Sequence, residues 1–368
     1  MRIIISGGGS GGHVYPAIAI ADALRRKGVE EILFVGAKGK MEMEKVPAAG
    51  YPIEGLWISG FQRSKILKNI SFLAKLIHSL LKAKKIIEKF KPDVVVGVGG
   101  FASGPIMKLA QWKSIPTVIQ EQNSYPGITN KLLAKSAGII CVAYPDMSRF
   151  FPKDKILMTG NPVRKDLKSL EELKTQAYSY FDLDPNKKTI LIFGGSLGAK
   201  SINDAIYLNR SKIKASAGVQ FLWQLGKLYY DSYTSRDIAD FPNVKMLPFI
   251  DRMDMAYSIA DTVICRAGAL TISELSLVGL PAVFVPSPNV AEDHQSKNAR
   301  SLVENQAAWM VDDSEAEHIL LDQALKLLND EAAQKSLSLN IRKLANPDAD
   351  NLIADEILKL VENESQRT

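Results

Sequence analysis

The short apolar run Arg2-Ile3-Ile4-Ile5-Ser6 leads without a break into Gly7-Gly8-Gly9-Ser10-Gly11-Gly12-His13. Glycine turns sharply and admits a ligand close to the backbone. A turn from strand to helix also leaves N–H groups that favour anions. His13 ends this turn, and an imidazole, which ordinarily titrates near neutrality, suits proton removal from a sugar hydroxyl. The same histidine would equally serve as a local hydrogen-bonding group at a helix start. A second apolar run, Thr189–Phe193, leads into Gly194-Gly195-Ser196-Leu197-Gly198-Ala199. Two such turns, half a chain apart, predict two nucleotide-fold lobes facing one phosphate-bearing ligand across a cleft.

Further chemistry-bearing residues fall at the ends of other predicted strands, where open α/β sheets bind ligands. Gly97-Val98-Gly99-Gly100-Phe101-Ala102-Ser103-Gly104-Pro105 is a third glycine turn, and Glu121-Gln122-Asn123 closes the next strand. Glu121 competes with His13 as general base, or orients it; the plain alternative is a capping or surface carboxylate. Arg266-Ala267-Gly268-Ala269-Leu270-Thr271-Ile272-Ser273-Glu274 follows the strand ending at Cys265. Glu274 has the acceptors for a ribose diol, while Thr271 and Glu274 also have capping-box spacing. Gly7-x-Gly9-x-x-Gly12 matches the dinucleotide fingerprint, but the second strand ends Phe34-Val35-Gly36-Ala37-Lys38 without the acid that holds an adenosine ribose. A nicotinamide-dependent oxidoreductase is therefore disfavoured. Asp182-x-Asp184, Asp251-x-x-Asp254 and Asp348-x-Asp350 read as solvated or capping acids, so no metal site is expected. Gly194-Gly195-Ser196 lacks a nucleophile elbow.

These residues need elements to hold them. Arg2–Ser6, Glu31–Gly36, Asp93–Gly97, Thr117–Glu121 and Gly138–Val142 read as buried strands of the first half. Thr189–Phe193, Gln220–Gln224, Val244–Leu247, Thr262–Cys265 and Ala282–Val285 repeat the scheme in the second. Helices are predicted at Pro16–Lys27, Ser201–Asn209, Met253–Ile259, Thr271–Leu277, Gln295–Glu304 and His318–Asn329. This alternation argues for parallel sheets covered on both faces. The chain's 368 residues suit two domains. Boundaries are expected at 1–163 and 164–345, with a hinge at Gly160–Arg164. A last helix within 346–368, about Ala349–Glu362, has no assigned lobe.

Composition is that of a globular protein, 46% hydrophobic and 23% charged. The N-terminus reads as a strand rather than a secretory leader, and no apolar run approaches a bilayer span. Cys141 and Cys265 form no metal or disulfide pattern, which suits a reduced, cytosolic protein. Charge is uneven: residues 1–163 hold 23 Lys+Arg against 11 Asp+Glu, and residues 164–368 hold 23 against 29. Unless this is chance scatter, the first lobe meets the polyanion or anionic membrane surface. Ser64–Phe90 adds Lys65, Lys68, Lys75, Lys82, Lys84, Lys85 and Lys89 to a helical face of Ile66, Ile70, Leu73, Ile77 and Leu80. That pattern fits a core-facing helix with a solvated lysine face, or a helix lying on anionic lipid.

In order along the chain, Gly7–Pro16, Gly97–Pro105, Glu121–Asn123, Gly160–Arg164, Gly194–Ala199, Arg266–Glu274 and His294-Gln295 resemble the MurG family of bacterial peptidoglycan glycosyltransferases. The resemblance implies a GT-B fold, two Rossmann-like domains facing an interdomain cleft. It implies inverting transfer of N-acetylglucosamine from UDP-N-acetylglucosamine to the C4 hydroxyl of N-acetylmuramic acid in undecaprenyl-pyrophosphoryl-N-acetylmuramoyl-pentapeptide. Neither cofactor nor metal is implied. Partners would be the two substrates, the anionic cytoplasmic membrane surface and cell-wall synthesis proteins, with no nucleic acid. The enzyme would be peripheral on the inner membrane's cytoplasmic side, with Ser64–Phe90 and Trp112 facing lipid.

Site residues follow from the same resemblance. Ser10, Gly11 and Gly12 match a donor-contacting loop, Asn123 a sugar contact, Arg164 a phosphate-side contact and Ser196 the second glycine turn. Ile250 would offer its backbone to uracil. Ala269, Leu270, Thr271, Ile272, Ser273 and Glu274 would line the ribose and diphosphate, and Gln295 would meet a sugar hydroxyl. His13 and Glu121 stay as the candidate bases. His294 stands where some members carry glutamine. Other sugar-nucleotide enzymes, such as an epimerase, and a non-catalytic binding or scaffold protein are the competing readings.

Overall fold

A computed structural model describes residues 1–60, 70–163, 167, 170–290 and 293–366. Its contacts divide the chain into two units, Met1–Val163 with Asn346–Thr368, and Arg164–Ala345.

In the first unit β1 (Arg2–Ser6), α1 (Gly11–Arg26), β2 (Glu31–Ala37), α2 (Glu42–Ala48), β3 (Ile53–Leu56) and α3 (Ile70–Phe90) open the alternation. They are followed by β4 (Val94–Gly97), α4 (Ser103–Trp112), β5 (Thr117–Glu121), α5 (Ile128–Ala134), β6 (Ile139–Val142) and β7 (Ile156–Met158). The sheet order is β3-β2-β1-β4-β5-β6-β7 and every adjacent pair is parallel. The central β1 buries Ile3, Ile4 and Ile5 completely, each contributing about 2 kcal/mol of apolar burial. Ile3 and Ile5 face α1 and the C-terminal helix Ala349–Ser365, while Ile4 faces α3, α4 and α5. The C-terminal helix docks on α1 through Ile353, Ala354, Ile357 and Val361. Arg26 seals the contact by donating to Asp350 Oδ2 at 2.6 Å.

The second unit contains α6 (Leu170–Phe181), β8 (Lys188–Phe193), α7 (Lys200–Leu208), α8 (Arg210–Ala215), β9 (Val219–Gln224), α9 (Tyr230–Thr234), β10 (Val244–Leu247) and α10 (Met253–Ile259). It continues with β11 (Thr262–Cys265), α11 (Ala269–Val278), β12 (Ala282–Phe284), α12 (His294–Glu304), β13 (Trp309–Met310), α13 (Ala316–Asn329) and α14 (Glu331–Arg342). Its sheet, β10-β9-β8-β11-β12-β13, is again all parallel. Both sheets reverse strand order beside the strand that feeds the glycine turn, the arrangement that places ligands at the strands' carboxyl ends.

Two departures from expectation concern helix starts. Helix α1 begins at Gly11, five residues before the predicted start, and carries Pro16 inside it. That proline has no N–H for the carbonyl of Gly12. Helix α11 begins at Ala269 with Gly268 as its N-cap, so Thr271 lies inside the first turn and is not the cap of a capping box. The face predicted as core-facing on Ser64–Phe90 also differs. Leu73, Ile77 and Leu81 are 62%, 52% and 60% exposed, and the buried face of α3 is Ala83, Ile86 and Ile87 nearer its end. Ile66, Lys65 and Lys68 lie outside the described residues.

Candidate functional site

In the second unit the turn Gly194–Ala199 delivers β8 into α7. The N-caps of α7 and α11, Ala199 and Gly268, make no side-chain capping bond, and neither first turn contains an acid. Both helices therefore keep the positive end of their dipole for an anion. At the start of α7 lies an open depression of about 620 Å³ that brings together the glycine turn with Ser196, Arg266, Ser287, Gln295 and Asp313. Gln295 Oε1 accepts from Ser287 N at 2.8 Å. That bond fixes the amide's orientation and leaves its NH2 as the donor for a ligand.

Several supports of this depression have no counterpart among the predicted site residues. Arg266 Nη1 pairs with Asp313 and donates to Val285 O and Pro286 O, both at 3.0 Å. Its Nη2 donates to Ser201 Oγ at 2.8 Å, and Ser201 Oγ donates to Asp313 Oδ1 at 2.6 Å. One guanidinium thus ties β11, α7 and the segment after β12 together. Gln224, at the carboxyl end of β9, donates Nε2 to Gly195 O at 2.9 Å and accepts from Ile250 N at 2.8 Å. It clips the glycine turn to the Ile250 segment. A polar residue closing a buried strand at the binding rim was the available sequence signal for it.

This geometry sorts the remaining residues of the unit. Ile250 is buried and its N–H is engaged by Gln224, so its carbonyl is the group it can offer a base. Ile272 departs from its expected lining role: its side chain is in the core and its N–H donates to Gly268 O at 3.0 Å. Ala269 is buried, whereas Leu270, Thr271 and Ser273 are half-buried. Ser273 Oγ turns back to Ala269 O at 2.9 Å. Glu274 is half-buried, and Tyr257, itself in the core, donates to its Oε2 at 2.9 Å. His294 opens α12 immediately before Gln295. Arg164 lies outside the described residues. Burial pushes the thiols of Cys141 (to about 12) and Cys265 upward, which makes both poor nucleophiles.

In the first unit Ser10 caps α1 with its backbone alone, and that first turn also lacks an acid. Ser10 and Gly12 are exposed and Gly11 is half-buried. Behind the turn sits Glu42, fully buried, whose Oε2 accepts from Gly9 N at 3.1 Å and whose Oε1 accepts from Ala37 N at 3.0 Å. A Cβ on Gly8 would meet Glu42 Oε1 at 2.1 Å, so any larger residue there would displace the buried carboxylate. The acid missing from the end of β2 is thus supplied from α2. It is sealed away from any ribose, and the oxidoreductase reading gains nothing from it.

Glu121 is also buried. Its Oε1 accepts from Asn123 N (3.0 Å) and Nδ2 (3.2 Å), and its Oε2 accepts from Gly127 N (3.1 Å) and Asn130 Nδ2 (2.9 Å). Four donors on a buried carboxylate describe a loop brace, and they turn Glu121 away from the role of base. Asn123 is half-buried beside it, its amide nitrogen held by that brace. His13 is half-buried at the rim with its Nδ1 2.9 Å from Gln122 Oε1. The imidazole and the acid therefore do not form a dyad; an amide stands between them in sequence and takes the imidazole's bond.

Two all-parallel Rossmann-like sheets, each sending a strand through a glycine turn into an uncapped helix, are the two halves of a GT-B fold. The chain belongs to glycosyltransferase family 28, whose N-terminal domain matches residues 3–141 and whose C-terminal domain matches residues 189–353. A Flavobacterium psychrophilum protein named UDP-N-acetylglucosamine–N-acetylmuramyl-(pentapeptide) pyrophosphoryl-undecaprenol N-acetylglucosamine transferase is 54% identical over 364 residues, covering 99% of this chain and 98% of its own. A Bacteroides thetaiotaomicron protein of the same name is 54% identical, covering 99% of both chains. The crystal structure of MurG from Acinetobacter baumannii superposes with a TM-score of 0.76 at 29% identity, covering 97% of this chain and 99% of that one. A UDP-GlcNAc 2-epimerase from Neisseria meningitidis, at 19% identity and a TM-score of 0.68, shares the fold alone.

Proposed function

We propose that this protein transfers N-acetylglucosamine from UDP-N-acetylglucosamine to the C4 hydroxyl of the N-acetylmuramoyl residue of undecaprenyl-pyrophosphoryl-N-acetylmuramoyl-pentapeptide. The observation that carries this is identity above half, along essentially the whole chain, with proteins bearing that activity in their names. In the reaction His13 takes the proton from the hydroxyl as its oxygen attacks the anomeric carbon. The bond from that carbon to the diphosphate breaks on the opposite face, and UDP leaves with the electron pair, giving a β-1,4 link. The charge growing on the diphosphate meets the N-termini of α7 and α11, fixed dipoles that need no reorganisation. The Ile250 carbonyl accepts from the uracil, Glu274 accepts from the ribose diol, and the Gln295 amide donates to the sugar.

The first unit works at the cytoplasmic surface of an anionic membrane, where the lipid-linked acceptor lies. Leu73, Ile77 and Leu81 form an exposed stripe at helical spacing on α3, and Trp57 and Trp112 are 47% and 63% exposed. Lys75 and Lys108 lie 5.8 and 5.6 Å from the Trp57 and Trp112 rings. Apolar side chains among lysines bind anionic interfaces. Among the described residues no helix is long and apolar enough to cross a bilayer.

The test supplies labelled UDP-N-acetylglucosamine and the lipid-linked muramoyl acceptor. Labelled disaccharide lipid is the expected product. Release of UDP without it, or an epimerised sugar, would overturn the proposal. Co-sedimentation with vesicles containing anionic lipid tests the membrane face, and replacing Leu73, Ile77 and Leu81 by serine should weaken it severalfold. Unchanged sedimentation would remove α3 from the interface.

A further inference from the structure

We infer that Gln122 is the positioning residue of the proton transfer: its side-chain amide holds the neutral imidazole of His13 as the Nδ1–H tautomer, so that Nε2 carries the basic lone pair. This rests on His13 being the base.

The orientation of the amide follows from groups that can only accept. Gln122 is 1% exposed. One end of its amide lies 2.8 Å from Val98 O and 3.3 Å from Gln120 O. Backbone carbonyls accept and never donate, so that end is the NH2 and the oxygen faces the ring. The oxygen in turn accepts only, so Nδ1, 2.9 Å away, carries the hydrogen. In a neutral imidazole the other nitrogen then holds the lone pair.

The amide chain extends away from the ring. Gln122 Nε2 also donates to Gln120 Oε1, Gln120 Nε2 donates to Asn161 Oδ1 at 3.0 Å, and Asn161 Nδ2 donates to Gln122 O at 3.0 Å. Three amides therefore run in one direction, from a fixed carbonyl at Gln122 to the imidazole, with each bond polarising the next. The ring is held from below as well. Gly99 and Gly100 have φ of +92° and +81°, and a Cβ on Gly99 would stand 3.0 Å from His13 Cε1. An imidazole lying close to that turn and with one nitrogen tied by an amide has little rotational freedom.

Because every link in this chain is a neutral amide, it orients the base without adding charge behind it. Gln122 does not touch substrate in this account. Its removal should slow chemistry and leave binding alone, since losing the group that sets a catalytic histidine's tautomer cuts turnover while the site persists.

The test combines nitrogen NMR with steady-state kinetics. The chain has four histidines, so imidazole ¹⁵N signals of the full-length protein can be assigned with a His13→Gln variant. Wild-type protein should show Nδ1 protonated and Nε2 bare at His13, and Gln122→Leu should lose that preference. The same variant should lower kcat roughly tenfold to hundredfold, up to the lower end of a whole general-base contribution, with both KM values within about twofold. An Nε2–H tautomer in the wild type overturns the inference, and that spectrum decides even if Gln122→Leu does not fold. Near-normal kcat in Gln122→Leu overturns it when His13→Gln is inactive. If His13→Gln is itself active, the base assignment fails first and the inference falls with it.

Discussion

The two glycine turns share a local design and differ in what stands behind them. After β1, the turn is backed by the buried acid of Glu42, which consumes the Gly9 N–H, and it ends in a histidine oriented by amides. After β8, the turn is backed by the neutral amide of Gln224, which donates to the Gly195 carbonyl and takes no N–H from the turn. A carboxylate behind a loop opposes a second anion there, whereas a neutral clip leaves the dipoles free to attract one. In the proposed reaction one sequence pattern thus serves two tasks, proton handling in the first unit and anion holding in the second. The neighbours assign the task, and the glycines do not.

Substitutions should separate the two tasks. The largest effect falls on His13→Ala, which should lower kcat about 10²- to 10⁴-fold, the usual span for a positioned base, with donor KM little changed in steady-state assays. A rise in donor KM instead would merge the two turns into one role. Arg266→Ala leaves Asp313 without its cationic partner and takes the guanidinium donor from two carbonyls. A loss of about 2 kcal/mol, the scale for charged hydrogen bonds, would raise donor KM roughly thirtyfold. Gln224→Leu removes two neutral bonds and should raise donor KM about fivefold to tenfold with kcat preserved. An unchanged KM there would deny that the clip shapes the site. The smallest effect on turnover is expected from Glu42→Gln, because the new NH2 must face Gly9 N–H or Ala37 N–H. Thermal or urea unfolding should show a loss of about 1–3 kcal/mol for the unsatisfied donor, and unaltered stability would contradict the brace.

The doubly wound architecture was legible because buried parallel strands such as Ile3-Ile4-Ile5 and Val94-Val95-Val96 are continuous apolar runs bounded by glycine. Edge strands were not. β3 carries Glu54 and Gly55 within four residues and β13 has only two residues, so neither shows a periodicity to read. The early start of α1 was hidden because Gly11 and Gly12 are poor helix formers, and that of α11 because Thr271 and Glu274 have the spacing of a capping box. At the candidate sites, residues in the segments that follow strands stood out by type, His13, Glu274 and Gln295 among them. Their supports were not. Gln224 meets Ile250 across 26 residues, Arg266 meets Asp313 across 47, and His13 meets Gln122 across 109. Glu42 reaches its place only through the fold of α2. Such pairings depend on which loops the sheet brings to one rim, and local spacing carries no trace of them.

The division of labour is open to hydrogen–deuterium exchange of the full-length protein with and without saturating UDP. Slowed exchange is expected at residues 194–199 and 268–272, where the uncapped helix starts would hold the diphosphate, with residues 7–12 unchanged. Protection at residues 7–12 while 194–199 stays as in the free protein would show that the wrong turn had been assigned the anion.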